Sequence, residues 1–492
     1  MLLLGIDIGS SSVKASVIDG ETGNCLATAF HPADEMKILA LKPGWAEQEP
    51  ESWLSNLRLA VGDCLARLGE RKKDIGAVGI SYQMHGLVAL DKHRNVLRPA
   101  IIWCDSRAVP FGEKALQSLG REYCLSHLLN SPGNFTASKL AWVKENEPGL
   151  FGKIDKIMLP GDFIALRLTG ELSTSPTGLS EGIFWDFLND RVSGELLSQF
   201  GFNPSLVPEI KPSFSITGYI SEQAAAEMGI PAGIPVSYRA GDQPNNALSL
   251  NVLEPGEVAA TAGTSGVIYG VTGSKKFDPE SRVNTFLHVN HQPDKPRLGV
   301  LLCINGTGIL NSWLRKTAGQ GISYDEMNTL AEGVPAGSEG LLVLPFGNGA
   351  ERVLGNLDAG ARISGLNFNT HSRAHLFRAA QEGIAFSFRY GLDIMKETGI
   401  DPHLIRAGKA NMFLSRIFRD TLASVTGSEI HLCNTDGSIG AARGAGIGCG
   451  YYKNAREAFS GLATIDVTSP GKEASEILEE AYGRWVQEVK TL

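Results

Sequence analysis

A short apolar strand that runs into a Gly-hydroxyl-hydroxyl turn and leaves it as a β-branched strand occurs in both halves of this chain. The first copy is Leu4-Gly5-Ile6-Asp7-Ile8-Gly9-Ser10-Ser11-Ser12, resuming as Val13 to Ile18. The second is Ala259-Ala260-Thr261-Ala262-Gly263-Thr264-Ser265-Gly266-Val267, resuming to Val271. Glycine frees the backbone for a tight turn, and the Ser/Thr hydroxyls with the exposed amides can then cup an anion. Two such hairpins facing each other would grip a polyphosphate from both sides, which points to a two-domain phosphoryl-transfer enzyme with a duplicated core. Ser10, Ser11, Gly263 and Thr264 are the candidate phosphate contacts. Asp7, aligned with Thr261, supplies the carboxylate that a magnesium site needs.

At 492 residues the chain exceeds what one core supports, so two or three domains are expected. Pro231-Ala232-Gly233-Ile234-Pro235 is the clearest punctuation, and the second hairpin begins soon after it. That places the boundary between about 243 and 255, with domains at 1–243 and 252–492. A net charge of −8 argues against a nucleic-acid-binding footprint, which needs a basic face. Seven scattered cysteines with no CxxC pair fit a reducing cytoplasm rather than a disulfide framework or zinc site. No run approaches the roughly 20 apolar residues of a membrane span. Asp7 interrupts the apolar start with no basic stretch before it, so no secretory signal is expected. The expectation is a soluble, cytoplasmic protein with neither nucleic acid nor membrane as partner.

Residues 2–30 read as three antiparallel strands. Trp53, Leu54, Leu57, Val61, Cys64, Leu65 and Leu68 recur at helical spacing and predict a helix over Pro50 to Gly69. Ile75 to Ser81 reads as a buried strand, followed by the polar elbow Gln83-Met84-His85-Gly86 and a strand from Leu87 to Leu90. A further strand, Ala100 to Trp103, ends in Cys104-Asp105-Ser106-Arg107. In the second half Arg373 to Lys396 and Phe413 to Thr426 read as helices, Ile405 to Gly408 as a strand, and Gly437 to Gly450 as a helix of small residues.

Asp242 ends an apolar stretch and precedes Gln243, Asn245 and Asn246. A carboxylate at a strand end can deprotonate a hydroxyl while amide neighbours orient it; the alternative is a turn or helix-capping Asp. In the elbow, Gln83 and His85 can bond sugar hydroxyls and Met84 can pack on carbon faces, the alternative being a hairpin with a satisfied histidine. Trp103 beside Asp105 has the make-up of a sugar platform, although Trp103 by itself equally reads as core. Ala407-Gly408-Lys409-Ala410-Asn411 ends a strand where Gly408 amides and Asn411 could meet a nucleotide, or be a plain connection. There is no GxxxxGK[ST] loop and no protein-kinase signature set.

Together these elements resemble the FGGY carbohydrate kinases, and within them most closely the xylulokinase branch. The resemblance spans nearly the whole chain: GIDIGSSSVKASVID (5–19), GWAEQEPESWL (44–54), ISYQMHGLVALD (80–91), LRPAIIWCDSR (97–107), GNFTASKLAWVKENEP (133–148), LPGDFIALRLTGE (159–171), AGDQPNNA (240–247), ATAGTSG (260–266), QEGIAFSFRYGL (381–392) and GSIGAARGAGIG (437–448). The resemblance implies an α/β fold of two actin-like (ribonuclease-H-like) ATPase domains with the active site in the cleft between them. It implies ATP-dependent phosphorylation of D-xylulose to D-xylulose 5-phosphate with Mg²⁺, and is compatible with a homodimer. Asp242 would be the catalytic base, with Asp7 near metal and phosphates. Met84 and His85 would contact sugar, with Gln83, Trp103, Asp105 and Gln243 around it. Thr264 and its glycine neighbours would hold phosphate, and Gly408 with Asn411 the adenosine. The alternatives are a sister kinase acting on L-ribulose, gluconate, L-fuculose or a polyol, and a chaperone-like ATPase lacking the sugar site. Glycerol kinases carry Arg-Glu where Met84-His85 stand. Two stretches depart from the usual family pattern: Ala407-Gly408-Lys409 is poorer in glycine, and Gln243-Pro244-Asn245-Asn246 is bulkier.

Overall fold

The structure, a computed structural model, describes residues 1–492, the side chain of Glu473 excepted. The chain divides into two compact units. The first is Met1–Leu253 with Phe286–Leu298 and Thr435–Leu462; the second is Glu254–Thr285, Gly299–Asn434 and Ala463–Leu492.

The first unit is built on a six-stranded sheet ordered Phe214–Tyr219, Pro235–Gly241, Ile75–Tyr82, Leu2–Ile8, Val13–Asp19, Cys25–His31. Leu2–Ile8 forms an antiparallel hairpin with Val13–Asp19 and runs parallel to Ile75–Tyr82, which in turn runs parallel to Pro235–Gly241. Side chains alternate across a strand, and here the alternation sorts them into two cores. Leu2, Leu4, Ile6 and Ile8 pack with Trp53, Leu57 and Val61 of the helix Pro50–Leu68. Leu3 joins Ala77, Tyr238 and Ala240 against Ala441, Ala442 and Ala445 of the helix Gly437–Gly448.

The small residues of that second helix have a steric cause. A Cβ at Gly5 would strike the Ser438 carbonyl oxygen, and one at Gly79 that of Ala441. Overpacking of this kind typically costs about 1–3 kcal/mol. The close approach brings the helix N-terminus, at Asp436 and Gly437, onto the Asp7 end of the first strand. The compact units do not follow a single cut near 243–255: residues 435–462 group with the first unit, where their helix lies against Gly5 and Gly79.

The second unit repeats the plan. Its sheet includes, in order, Gly266–Thr272, Val258–Ala262, Leu404–Gly408, Glu429–Cys433 and Thr464–Thr468. Again a hairpin (Val258–Ala262 with Gly266–Thr272) is followed by two strands parallel to its first arm and an antiparallel edge. The helix Arg373–Glu397 supplies Phe377, Ile384, Phe388 and Leu392 to the core. Trp485 of the last helix, Lys472–Val489, is fully buried there and donates its indole N–H to the Val343 carbonyl at 2.9 Å. The elbow does not form the hairpin that is the alternative reading of this stretch. Val88–Leu90 pairs instead with Lys156–Met158, which turns residues 83–87 out of the main sheet. Among the described residues no helix is long and apolar enough to cross a membrane.

Candidate active site

In the first unit, three acidic side chains gather where strands end. Asp7 is the last polar residue of Leu2–Ile8, in register with Ser81 on one neighbour and Lys14 on the other. Burial raises the Asp7 carboxyl above the ordinary range; the Ser81 hydroxyl and Lys14 oppose that and Asp436 reinforces it. Gly437 is needed here, since a Cβ at that position would meet the Asp7 carboxylate. Asp436 caps the helix Gly437–Gly448 through Ile439 N at 3.1 Å and accepts from Lys14 Nζ at 2.5 Å. Burial would raise the Asp436 carboxyl, but Lys14 and the capping bonds hold it below its ordinary value.

Asp242 opens the helix Asp242–Ser249 directly after the strand Pro235–Gly241. Its carboxyl is raised from 3.8 to about 7, first by burial and then by the Asp7 charge, with Gln243 hydrogen bonds only partly offsetting them. A carboxyl that titrates near neutrality is suited to proton transfer. Gln243 thus braces Asp242. Asn245 ties the same helix to the Gly437 carbonyl at 2.8 Å.

The elbow lies against this group. Gly241 is glycine because a Cβ would collide with Glu181 and Met84, so Met84, Glu181 and the residue before Asp242 are neighbours. His85 sits at φ 61°, a left-handed conformation that costs a non-glycine residue energy and marks over-determined positions. Three contacts hold it there. Its backbone N–H donates to Glu181 Oε1 at 3.3 Å, its ring Nδ1 meets the Glu181 carbonyl at 2.9 Å, and its own carbonyl accepts from Lys139 Nζ at 2.8 Å. A carbonyl can only accept, so Nδ1 carries a proton. The rings of Phe135 and Phe286 pack on the imidazole at 4.9 and 5.4 Å. Glu181 and Lys139 are both fully buried: burial pushes Glu181 well up, with Asp242 adding to it, and pushes Lys139 down to about 7. Neither was legible in the sequence as a site residue, although Lys139 lies within the segment 133–148 on which the family resemblance rests.

Two expected sugar contacts stand elsewhere. Asp105 is completely buried; it accepts from Ala46 N at 2.6 Å and pairs with Arg107 at 2.6 Å. Both oxygens are engaged, so it acts as a strut and cannot receive a sugar. Gln83 is buried and donates to Gln48 Oε1 at 3.0 Å, supporting the elbow from within. Trp103 is 53% exposed, which excludes the core reading, and its indole nitrogen lies 3.4 Å from Ser10 Oγ. Ser10 is half-buried and Ser11 exposed in the first turn.

In the second unit, Gly263, Thr264 and Asn411 line one cavity of about 470 Å³ with Gly308, Asn311, Ser312, Tyr324, Asn328, Met412 and Leu414. The helix Gly308–Thr317 begins against the turn: Gly308 N donates to the Gly263 carbonyl at 2.9 Å and Ile309 N to that of Thr264 at 3.1 Å. Asn411 is left-handed at φ 54°. Gly408 ends its strand without lining the cavity. Amide and hydroxyl groups beside apolar Met412 and Leu414 match a nucleoside, whose base has polar edges and an apolar face. Asn311 Oδ1 is buried there without a protein partner, an acceptor that a ligand amine or hydroxyl would satisfy. Asn311 and Asn328 lie on separate helices and carry no motif, so only folding brings them to Asn411.

Residues 2–249 match the model of the N-terminal domain of the FGGY family of carbohydrate kinases, and residues 258–449 that of its C-terminal domain. The chain belongs to the FGGY family of carbohydrate kinases. It is 28% identical over 464 residues to a xylulose kinase of Bacillus subtilis (strain 168), covering 92% of this chain and 90% of that relative. A xylulose kinase structure from Rhodospirillum rubrum is similar at a TM-score of 0.90 and 27% identity, over 100% of this chain and 99% of the other. A gluconate kinase structure from Lactobacillus acidophilus reaches 0.89 at 21% identity, over 100% and 98%. The FGGY kinase is therefore a sugar kinase of two actin-like domains, and the non-kinase ATPase alternative falls. Fold likeness alone does not choose the sugar, since relatives named for different substrates share it.

Proposed function

We propose that this FGGY kinase transfers the γ-phosphoryl group of ATP to a terminal hydroxyl of D-xylulose, forming D-xylulose 5-phosphate and ADP. The observation that carries the reading is Asp242, raised to about 7 and set beside an elbow of Met84 and His85 rather than an Arg-Glu pair. In this mechanism His85 accepts from or orients a sugar hydroxyl through Nε2, while Met84 lies along carbon. Asp242 takes the proton of the attacking hydroxyl as its oxygen bonds the γ-phosphorus and the bond to the β,γ-bridging oxygen breaks. Such transfer is mainly positioning and charge stabilisation. ATP binds with its base side in the cavity of Asn311, Asn328 and Asn411 and its phosphates toward the turn at Gly263–Ser265.

Magnesium fits the acidic group. Asp7 and Asp436 form a carboxylate pair offset by one lysine, and Asp242 adds a third charge nearby. Among the described residues no three His, Cys, Asp or Glu side chains form a complete metal cage. Any ion there would take its remaining ligands from phosphate oxygens and water. Asp7, with Asp436 behind it, would hold the ion, which would neutralise phosphate charge.

A coupled ADP-release assay across D-xylulose, L-ribulose, L-fuculose, gluconate, glycerol and other polyols tests the assignment. D-xylulose is expected to give the highest kcat/KM. A higher value for gluconate or a polyol would overturn the sugar while leaving the family chemistry in place.

A further inference from the structure

Gln48 is completely buried and lies outside every group that touches a substrate in the reading above. It occupies a two-residue strand, Glu47–Gln48, paired antiparallel with Ala100–Ile101. Strand alternation sends the two side chains to opposite faces. Glu47 faces a buried ionic cluster, bound by Arg98 and, at 2.6 Å, by Arg107. Arg107 is stacked 3.7 Å over the Trp45 ring and pairs with Asp105, which accepts from Ala46 N. The backbone at residue 48 is thus fixed from one side.

From the other side, one carboxamide reaches two functional turns. Gln48 Nε2 donates to the Ser10 carbonyl at 2.7 Å, in the first phosphate turn. Gln48 Oε1 accepts from Gln83 Nε2 at 3.0 Å, at the root of the sugar elbow, and from Trp53 Nε1 at 3.0 Å. Gln83 N also donates to the Ile8 carbonyl at 2.7 Å, a direct backbone tie between strand end and elbow; Gln48 adds the side-chain link from the elbow to the turn itself. A primary amide is the side chain that donates and accepts from one planar group, and its burial makes each broken bond costly.

We propose that Gln48 is a positioning residue for phosphoryl transfer, one amide that keeps the phosphate turn and the sugar elbow in register. This rests on the sugar-kinase site assigned above. Each half-site has its own binding groups, so loosening the register affects the approach of the reacting atoms more than the affinity for either substrate. A displacement of about 1 Å between reacting groups costs on the order of 10²-fold in rate.

The test compares Gln48→Met with Trp53→Phe. The first removes both links at similar volume; the second removes one bond onto Oε1 and leaves the Ser10 and Gln83 links intact. Steady-state kinetics with D-xylulose and ATP are measured beside thermal unfolding. The expected result is a roughly 10- to 100-fold lower kcat for Gln48→Met with each KM within about threefold, and near-wild-type kcat for Trp53→Phe despite a comparable loss of stability. Equal kcat in the two variants overturns the inference, as does a loss confined to KM. Should Gln48→Met fail to fold, Gln83→Met removes only the side-chain link from the elbow to Gln48: a kcat loss without a KM change supports the coupling, and unchanged kcat overturns it. A wild-type enzyme that phosphorylates no sugar would instead overturn the underlying assignment.

Discussion

The two Gly-hydroxyl hairpins share a backbone plan and differ in what surrounds them. In the first, Ile8 pairs with Val13, so four residues (9–12) make the turn; in the second, Ala262 pairs with Gly266, leaving three (263–265). Two residues before the turn glycine stands Asp7 in one copy, opposite Lys14, and Thr261 in the other, opposite Val267. The first turn lies beside the carboxylates of Asp7, Asp436 and Asp242. The second opens onto a cavity lined mainly by amide, hydroxyl and apolar groups, with a single carboxylate, Asp325. Both copies keep a Gly-hydroxyl turn while the flanking charge differs. The carboxylate-rich copy is suited to a proton and a cation, the amide- and hydroxyl-rich copy to a nucleoside.

The acidic side is where that contrast breaks most sharply. Asp242→Asn should lower kcat by about 10² to 10⁴ while leaving calorimetric sugar binding near wild type, because Asn cannot take a proton. A variant turning over at the wild-type rate would remove Asp242 as base. The same residue sets a pH dependence. Its folded value of about 7 lies above the ordinary 3.8, and the base works as the anion, so kcat/KM for sugar should rise with pH through about 7. For stability the sign is opposite: the native state keeps a proton that the unfolded chain releases, so stability falls as pH rises from near 4 to about 7. Asp242→Asn should abolish the first slope and, above pH 7, melt higher than wild type. Matched pH profiles of rate and melting temperature check both.

Replacing equivalent positions sharpens the comparison between copies. Asp7→Ala should reduce magnesium-dependent turnover by about 10²-fold, the usual scale for losing a charge-stabilising contact, with sugar affinity little changed. Thr261→Val, at the matching place, should alter ATP kinetics less than about threefold. Equal losses would mean that the two turns had not diverged in role.

Smaller effects should separate by substrate. His85→Ala should raise the D-xylulose KM several-fold and leave the ATP KM alone. Asn311→Ala should do the reverse, since one hydrogen bond to a neutral group is worth about 0.5–1.5 kcal/mol. A shift of the ATP KM in His85→Ala, or of the sugar KM in Asn311→Ala, would contradict the division of labour.

Much of the frame was legible because it is local. Periodicity places a helix at Pro50 to Gly69 and the structure has Pro50–Leu68; it places one at Arg373 to Lys396 and the structure has Arg373–Glu397. Shorter signals overran. Ala100 to Trp103 narrows to Ala100–Ile101, because the chain turns outward at Trp103, and Phe413 to Thr426 begins its α-helix only at Arg416. Asp105 misled for a physical reason: an aromatic beside an acid reads alike on a sugar platform and in a buried ionic cluster, and only Arg107 and the Ala46 amide decide which. The elbow was visible as a polar interruption between apolar runs. Its backbone supports at Glu181 and Lys139 were not, since they approach from segments far along the chain.

The sequence by itself determined the duplicated strand-turn-strand core, the acidic and hydroxyl-bearing strand ends and the polar elbow, because each is written in residues within hydrogen-bonding or periodic reach of one another. Tertiary structure decided what those groups became. Glycines 5 and 79 let the helix Gly437–Gly448 settle onto the first sheet and press Asp436 and Gly437 toward Asp7. Burial and that neighbouring charge then lifted Asp242 to about 7. A carboxyl's proton affinity depends on the dielectric and charges around it, and those are assembled only when distant segments pack.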